Sequence, residues 1–420
     1  MSKPTQKRHV RKTPRVFRSA HRVLKTIIAP AFRHRFDLVG ENLEVLDGLK
    51  PPYLILACHR SHLDPFFISY HVPHPIQFVV ADAQFRSRVV SFGLSVVGAI
   101  PKTKVMSDFD AVRSIMRVKD QGGVIGIFPE GQNSWDGTAL PVYYSTAKLV
   151  RLLRIPVVTA VVKGAFFAAP RWGKGWRRGE IHIEYTKVFA GPDLRSTPIE
   201  EIHRVISDKL SHDEYEYQEQ VNRPYVGRKR AERIERALFY CPECRRFDAL
   251  ESHRNSLFCT ACGMRVEYGY RGRFRPATPG FATVKEWNAR QIEALTRALD
   301  SYRAGPTTEP FMSDGNALVE TGFKSRPLER YHYGRLHLFA DRLVVEPIVK
   351  AREITFLLPE IDGLNVQQNE RMEFYSGGLL YRFTFTDRRL SMYKWFLAMR
   401  YLAGRPLFAA ERGLNVSPRN

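Results

Sequence analysis

Apolar residues follow two rhythms along this chain. Residues 54–57 are apolar at every position after Pro51 and Pro52, the pattern of a strand covered on both faces. Asp64 and Pro65 then read as a helix start opening the apolar stretch 66–70. The strand pattern returns at 76–81, 122–128 and 155–162, and residues 181–188 alternate like a half-exposed strand. Helical patterns lie between: 85–97, then from Ser107 to about 121, 144–153, and from the capping box Thr197-Pro198-Ile199-Glu200 to about 220. The helix at 85–97 is apolar enough to be a core helix or the lining of an apolar groove. Strands alternating with helices predict an α/β sheet-and-helix domain over 37–225.

Past the charged linker that begins at Arg228, the pattern changes. Cys241 and Cys244, then Cys259 and Cys262, form two CxxC turns around a polar insert of hairpin size. That spacing predicts one tetrahedral structural zinc held by four thiolates, a zinc ribbon over 236–272, with a redox or disulfide pair as the alternative. A helix at 282–302 and a Gly/Pro/Thr/Ser-containing loop at 305–325 follow. Strands are expected at 335–339, 342–346, 353–358, 371–375 and 380–386, and a last helix at 393–402. This β-rich domain over 280–404 faintly resembles a pleckstrin-homology or GRAM-type barrel, but no local motif carries the likeness, and an unrelated small β domain is the preferred reading.

Composition narrows the partners. The chain has 420 residues, 44% of them hydrophobic, which excludes a disordered protein and gives room for several cores. Its formal net charge of +22 calls for an anionic partner, a membrane surface or a nucleic acid. Residues 1–36 concentrate Lys and Arg with Phe17, Val23, Leu24, Ile27 and Ile28 between them, as an interfacial amphipathic segment or a basic tail would. The longest uncharged apolar window, 89–101, is too short for the roughly 20 residues of a spanning helix. A peripheral protein on the cytoplasmic face of a membrane is expected. Few cysteines outside the two CxxC turns point to a reducing compartment.

The candidate chemistry sits where the first strand ends. His59 falls at its C-terminal edge and Asp64 one turn later, the place where open α/β sheets bind ligands. By themselves the two could be a turn histidine and a helix cap. A second strand ends in Phe128-Pro129-Glu130-Gly131, so a glutamate and a flexible glycine face the same edge. Cys58 precedes His59, but neighbours on a strand point to opposite faces, which makes it a core thiol before a nucleophile. His62 reads as a turn or rim residue.

These residues resemble the glycerophospholipid acyltransferases, in particular the 1-acylglycerol-3-phosphate (lysophosphatidate) acyltransferases. His59 to Asp64 matches the family's histidine, four residues, aspartate block, and Phe128 to Gly131 its third block. Residues 98–104 are similar to the second block and 155–162 to the fourth. The resemblance implies acyl transfer from an acyl-CoA or acyl-carrier-protein thioester to a lysophospholipid hydroxyl, with no catalytic cofactor. His59 would be general base and Asp64 its orienting carboxylate, while Glu130 and Gly131 would shape the acceptor site. Two positions depart from the family. Asn133 stands where an arginine commonly contacts the acceptor phosphate, and Lys104 replaces the second block's arginine, keeping charge without bidentate geometry. Lys102, Lys104, Arg171, Arg177 or Arg178 would then hold phosphate, or the acceptor is another lysolipid. A different class also fits the charge and the ribbon, a non-enzymatic zinc-ribbon nucleic-acid binder, but the insert at 245–258 is mixed in charge, against that reading.

Overall fold

The computed structural model describes residues 30, 32–102, 109–323, 326–348, 351–367, 370–387 and 389–408. The basic segment 1–29, Lys104 and the expected cap Ser107 lie outside these.

Seven strands form the first sheet: β1 (Phe36–Glu41), β2 (Tyr53–Ala57), β3 (Ile76–Ala81), β4 (Ile100–Lys102), β5 (Val124–Ile127), β6 (Val157–Lys163) and β7 (Gly179–Phe189). Their order is β1-β7-β6-β2-β5-β3-β4. Only β6 and β7 pair antiparallel; the other neighbours are parallel. β2 has β5 on one edge and β6 on the other, and its five side chains are at most 1% exposed. That is why the segment carries no polar position to mark an outer face.

Helices flank the sheet: α1 (Asp64–His71), α2 (Arg88–Val96), α3 (Phe109–Asp120), α4 (Tyr144–Leu153), the one-turn α5 (Ala165–Ala168), α6 (Ile199–Leu210) and α7 (Glu214–Val221). Two differ from the sequence pattern. The apolar segment at 85–97 is a 3-10 turn, Asp82–Arg86, followed by α2, and α2 buries none of its residues. It is not a core helix. The single helix expected from Pro198 to about 220 breaks at 211–213, because Asp213 starts α7 by accepting the N–H groups of Tyr215 and Glu216 at 2.9 and 3.1 Å. Thr197 does not cap α6; its hydroxyl donates to the Asp193 carbonyl at 2.7 Å.

Strands β8 (Leu250–His253), β9 (Ser256–Cys259), β10 (Arg265–Tyr268) and β11 (Phe274–Arg275) form a small antiparallel sheet in sequence order. The helix α8 (Val284–Ala304) follows, capped by the Thr283 hydroxyl, which accepts the Glu286 N–H at 3.0 Å. The last domain is a seven-stranded antiparallel sheet closed off by α9 (Met392–Leu402). Its strands are β12 (Met312–Gly322), β13 (Glu329–Leu338), β14 (Arg342–Pro347), β15 (Ile354–Leu357), β16 (Asp362–Gln367), β17 (Arg371–Ser376) and β18 (Leu379–Phe385), ordered β15-β14-β13-β12-β18-β17-β16. Two meanders are thus joined where the first strand pairs with the last. β12 occupies most of the segment read as a loop. Its Ser313 to Asn316 stretch carries turn-forming residues, and the register shifts between Asp314 and Ala317, so a bulge stands where the sequence shows punctuation.

Candidate active site and cysteine cluster

The parallel register of β2 and β5 sets Leu56 beside Ile127. Three residues further on each strand bring His59 next to Glu130 at the sheet's C-terminal edge. The His59 N–H points at the Glu130 Oε1, 3.4 Å away. The His59 Nδ1 lies 2.9 Å from the Asp64 Oδ2, which also accepts the backbone N–H groups of Arg60 and Ser61 at 2.8 and 2.9 Å. A carboxylate fixed by two amides can only receive a proton from Nδ1. The hydrogen bond therefore puts a proton on Nδ1, so that in the neutral ring Nε2 is the unprotonated nitrogen. Its ring stacks on Phe128, with centroids 4.1 Å apart, and its side chain keeps 17% exposure while Asp64 has none. The first turn of α1 supplies Asp64, with Pro65 at its start.

Beneath the histidine lies a group that the sequence reading missed. Arg60 is fully buried, and its Nη1 donates to both Glu130 oxygens at 3.0 and 2.9 Å, while its Nη2 donates to the His212 carbonyl at 3.1 Å. Glu130 is thus not open to a ligand: it holds Arg60 and the His59 backbone. Burial pushes its carboxyl above the usual range, and the Arg60 charge opposes that shift. Glu214, also fully buried, accepts the N–H groups of Gly164 and Phe166 at 2.6 and 3.0 Å and ties α7 to the loop after β6. The signal for Arg60 was its place between His59 and Asp64 in sequence. For Glu214 there was none.

Gly131 has φ +72, and a Cβ there would sit 2.5 Å from the Tyr143 ring, so glycine is required. Cys58 is fully buried between the strands; its sulfur receives the Val162 N–H at 3.1 Å and burial pushes the thiol up to about 12, which makes it a core thiol. His62 is exposed on the rim.

The phosphate candidates separate. Lys102 ends β4, three strands from β2, roughly 14 Å away at the usual strand spacing. Arg171 comes to the loop that follows Gly131: its Nη1 donates to the Asn133 carbonyl at 2.9 Å and lies 3.5 Å from the Gln132 Oε1. Its Nη2 donates to the Val366 carbonyl of β16 at 2.8 Å, and its guanidinium covers the Trp135 ring at 4.0 Å. A guanidinium therefore stands beside Asn133, supplied from another loop. The C-terminal half grips the same loop twice more. Trp135 stacks on Tyr393 of α9 at 4.4 Å, and the Asp136 Oδ2 accepts from the Asn288 Nδ2 of α8 at 2.7 Å.

The four cysteines meet at one point, their sulfurs all within 4.8 Å of one another. Cys241 and Cys262 are 3.7 Å apart, and Cys244 and Cys259 3.6 Å. A tetrahedron with Zn–S arms of about 2.3 Å has edges of about 3.8 Å. The cluster fits a metal of that size. It is built into the domain by α8: the Trp287 Nε1 donates to the Tyr240 carbonyl, and the Gln291 Oε1 accepts the Phe239 N–H.

Residues 35–163 match the family model described as acyltransferase, so this part of the chain is an acyltransferase domain. Among curated proteins, a chloroplastic 1-acyl-sn-glycerol-3-phosphate acyltransferase of Brassica napus is 23% identical over 161 residues, 38% of this chain. The match spans 46% of that relative, less than half its length. Among solved structures, the 1-acyl-sn-glycerophosphate (LPA) acyltransferase PlsC of Thermotoga maritima aligns with 45% of this chain and 76% of its own, at 18% identity and a TM-score of 0.38.

Proposed function

We propose that this protein moves a fatty acyl group from the thioester of coenzyme A or of an acyl carrier protein to the free hydroxyl of 1-acylglycerol-3-phosphate, giving phosphatidic acid for phospholipid synthesis. The observation that carries the reading is the His59–Asp64 pair at the C-terminal edge of β2, inside an acyltransferase domain. The His59 Nε2 takes the acceptor's hydroxyl proton as the oxygen attacks the thioester carbonyl. The tetrahedral intermediate then expels the thiolate, which receives that proton from the imidazolium. Asp64 holds the Nδ1 proton and stabilises the charged ring. No serine intervenes, because the acceptor is itself the nucleophile.

The remaining residues take supporting roles in this proposal. Glu130 and Arg60 fix the floor, Gly131 allows the turn over it, and Arg171 brings positive charge to the Asn133 loop, with Lys102 and Lys104 further out. The cation beside Asn133 is tied to two backbone carbonyls, and that tie favours a second reading within the class, an acceptor lysolipid other than lysophosphatidate. The four cysteines hold a structural zinc, which locks the ribbon turns and contributes folding energy when bound. In this reading the enzyme works at the cytoplasmic face of an anionic membrane, a location that its lysolipid acceptor and its net charge of +22 favour.

The test is acyl transfer by the purified full chain, given labelled acyl-CoA or acyl-carrier protein and a panel of lysophospholipids in anionic vesicles. Product from wild type but not from His59→Ala supports the enzyme, and the preferred acceptor decides between the two readings. No product from any pair, with the protein folded and zinc-loaded, would overturn it.

A further inference from the structure

We infer that α2 and one end of the C-terminal β domain form a single surface that lies on an anionic lipid bilayer. α2 is nine residues long and buries none of them; Val89 is 83% exposed and Phe92 73%. So short a helix has little stability of its own in water, and packing of its apolar side chains normally supplies the rest. Here the apolar side chains face outward. Among the described residues nothing covers Val89 or Phe92.

The turn that leads into α2 is joined to the last domain. The Arg86 Nη1 donates to the Glu373 Oε1 of β17 at 2.7 Å, both side chains at most 7% exposed. Asp82 and Arg86 line a small cleft together with Tyr375 and Leu380, the residues on either side of the β17–β18 hairpin tip. That tip carries Leu379, 45% exposed. Register places its neighbours: Gly322 at the end of β12 pairs with Leu380, and Pro347 at the end of β14 pairs with Gly334. The turns after β12, β14 and β17 therefore point to the same end of the domain, the β14 turn set back, since Gly334 pairs with Ala317, five residues before Gly322. Beside them Tyr331 and Ile348 are about half exposed. The Arg86–Glu373 ion pair and this cleft thus set the start of α2 beside the β17–β18 hairpin.

Charge selects the occupant. Arg88, Arg326, Arg330 and Arg352 are exposed around these tips, none ion-paired to a described carboxylate; of the exposed carboxylates there, Glu346 and Asp362 are already paired with His337 and Arg405, which leaves Glu329 and Glu353 against the four arginines. Apolar tips ringed by arginine fit a surface of anionic headgroups over acyl chains. A second copy of a chain with net charge +22 would be repelled. This surface extends the lysolipid reading above by assigning the face the enzyme presents to its substrates' membrane, yet it is read out without turnover.

The experiment is flotation of the full-length protein with vesicles of phosphatidylglycerol and phosphatidylcholine in equal parts, and with phosphatidylcholine alone. The variants are Val89→Asp with Phe92→Asp, and Ile348→Asp with Leu379→Asp. Wild type should float with the anionic vesicles far better than with the neutral ones. Each double variant should lower the vesicle-bound fraction at least about tenfold while melting at the wild-type temperature, since the four side chains are exposed. Equal flotation of wild type and both variants overturns the inference. So does a shift from dimer to monomer in sedimentation velocity with unchanged flotation, which would assign the face to a second copy. Normal flotation by a protein that transfers no acyl group would sink the enzymatic reading and leave this surface standing.

Discussion

Below His59 the acyltransferase domain buries Arg60, Asp64 and Glu130 to 4% exposure or less, whereas about thirty residues later α2 leaves Val89 and Phe92 bare to solvent. The two regions invert the usual distribution in opposite senses, polar groups inside and apolar groups outside. A scattered surface leucine says little, but a buried charge or a clustered apolar surface does. The floor tolerates its charges because each has a partner: Arg60 neutralises Glu130, and Asp64 is held by two amides and an imidazole. α2 has no such internal compensation. The floor's charges are compensated inside the fold and the apolar side chains of α2 are not, so substitutions should separate the two by size of effect.

The largest loss of stability should come from Glu130→Ala, which strands the Arg60 guanidinium in the core. A cost of about 3–5 kcal/mol is expected, measured by urea unfolding. A loss below about 1 kcal/mol would break the contrast by showing the pair to be solvated. Leu56→Ala in the middle of β2 should cost about 2–5 kcal/mol in the same assay. Chelation of the metal should come next in reach: loss of one zinc per chain, counted by metal analysis, should lower the melting temperature, and Cys259→Ser should reproduce the loss without chelator. A smaller effect is expected from Asn288→Ala, which removes the amide held by Asp136; about 1–2 kcal/mol should be lost, and KM for the acceptor should rise because the loop after Gly131 loosens. Val89→Asp belongs at the bottom of the scale, within about 0.5 kcal/mol of wild type. A large destabilisation there would mean that α2 is packed after all.

The two regions were also unequally legible in sequence. β2 and β5 announced themselves because a strand covered on both faces has no polar position, β6 nearly so with Thr159 its one polar residue before Lys163, and His59, Asp64 and the four cysteines stood at spacings that only a few chemistries use. The partner of Glu130 was harder. Arg60 reads as one more cation in a chain of 65 lysines and arginines until the parallel register places it against β5. α2 misled for the opposite reason: helical spacing of apolar residues reports that a face is covered, not by what, and core and lipid leave the same pattern. β12 was hidden by Ser, Asp, Gly and Asn at its bulge. Nothing local in the sequence announced that Arg171, Asn288 and Tyr393 converge on the loop after Gly131, since those contacts join segments far apart in the chain.

The central claim is that His59 acts as a base because Asp64 fixes its Nδ1 proton. Asp64→Asn keeps the shape but alters that hydrogen bond, so the direct measurement is the steady-state rate of acyl transfer by Asp64→Asn beside wild type, with folding checked by circular dichroism. We expect kcat to fall on the order of 10³-fold with KM for the acceptor nearly unchanged. A folded Asp64→Asn enzyme that retains the wild-type kcat would contradict the assignment.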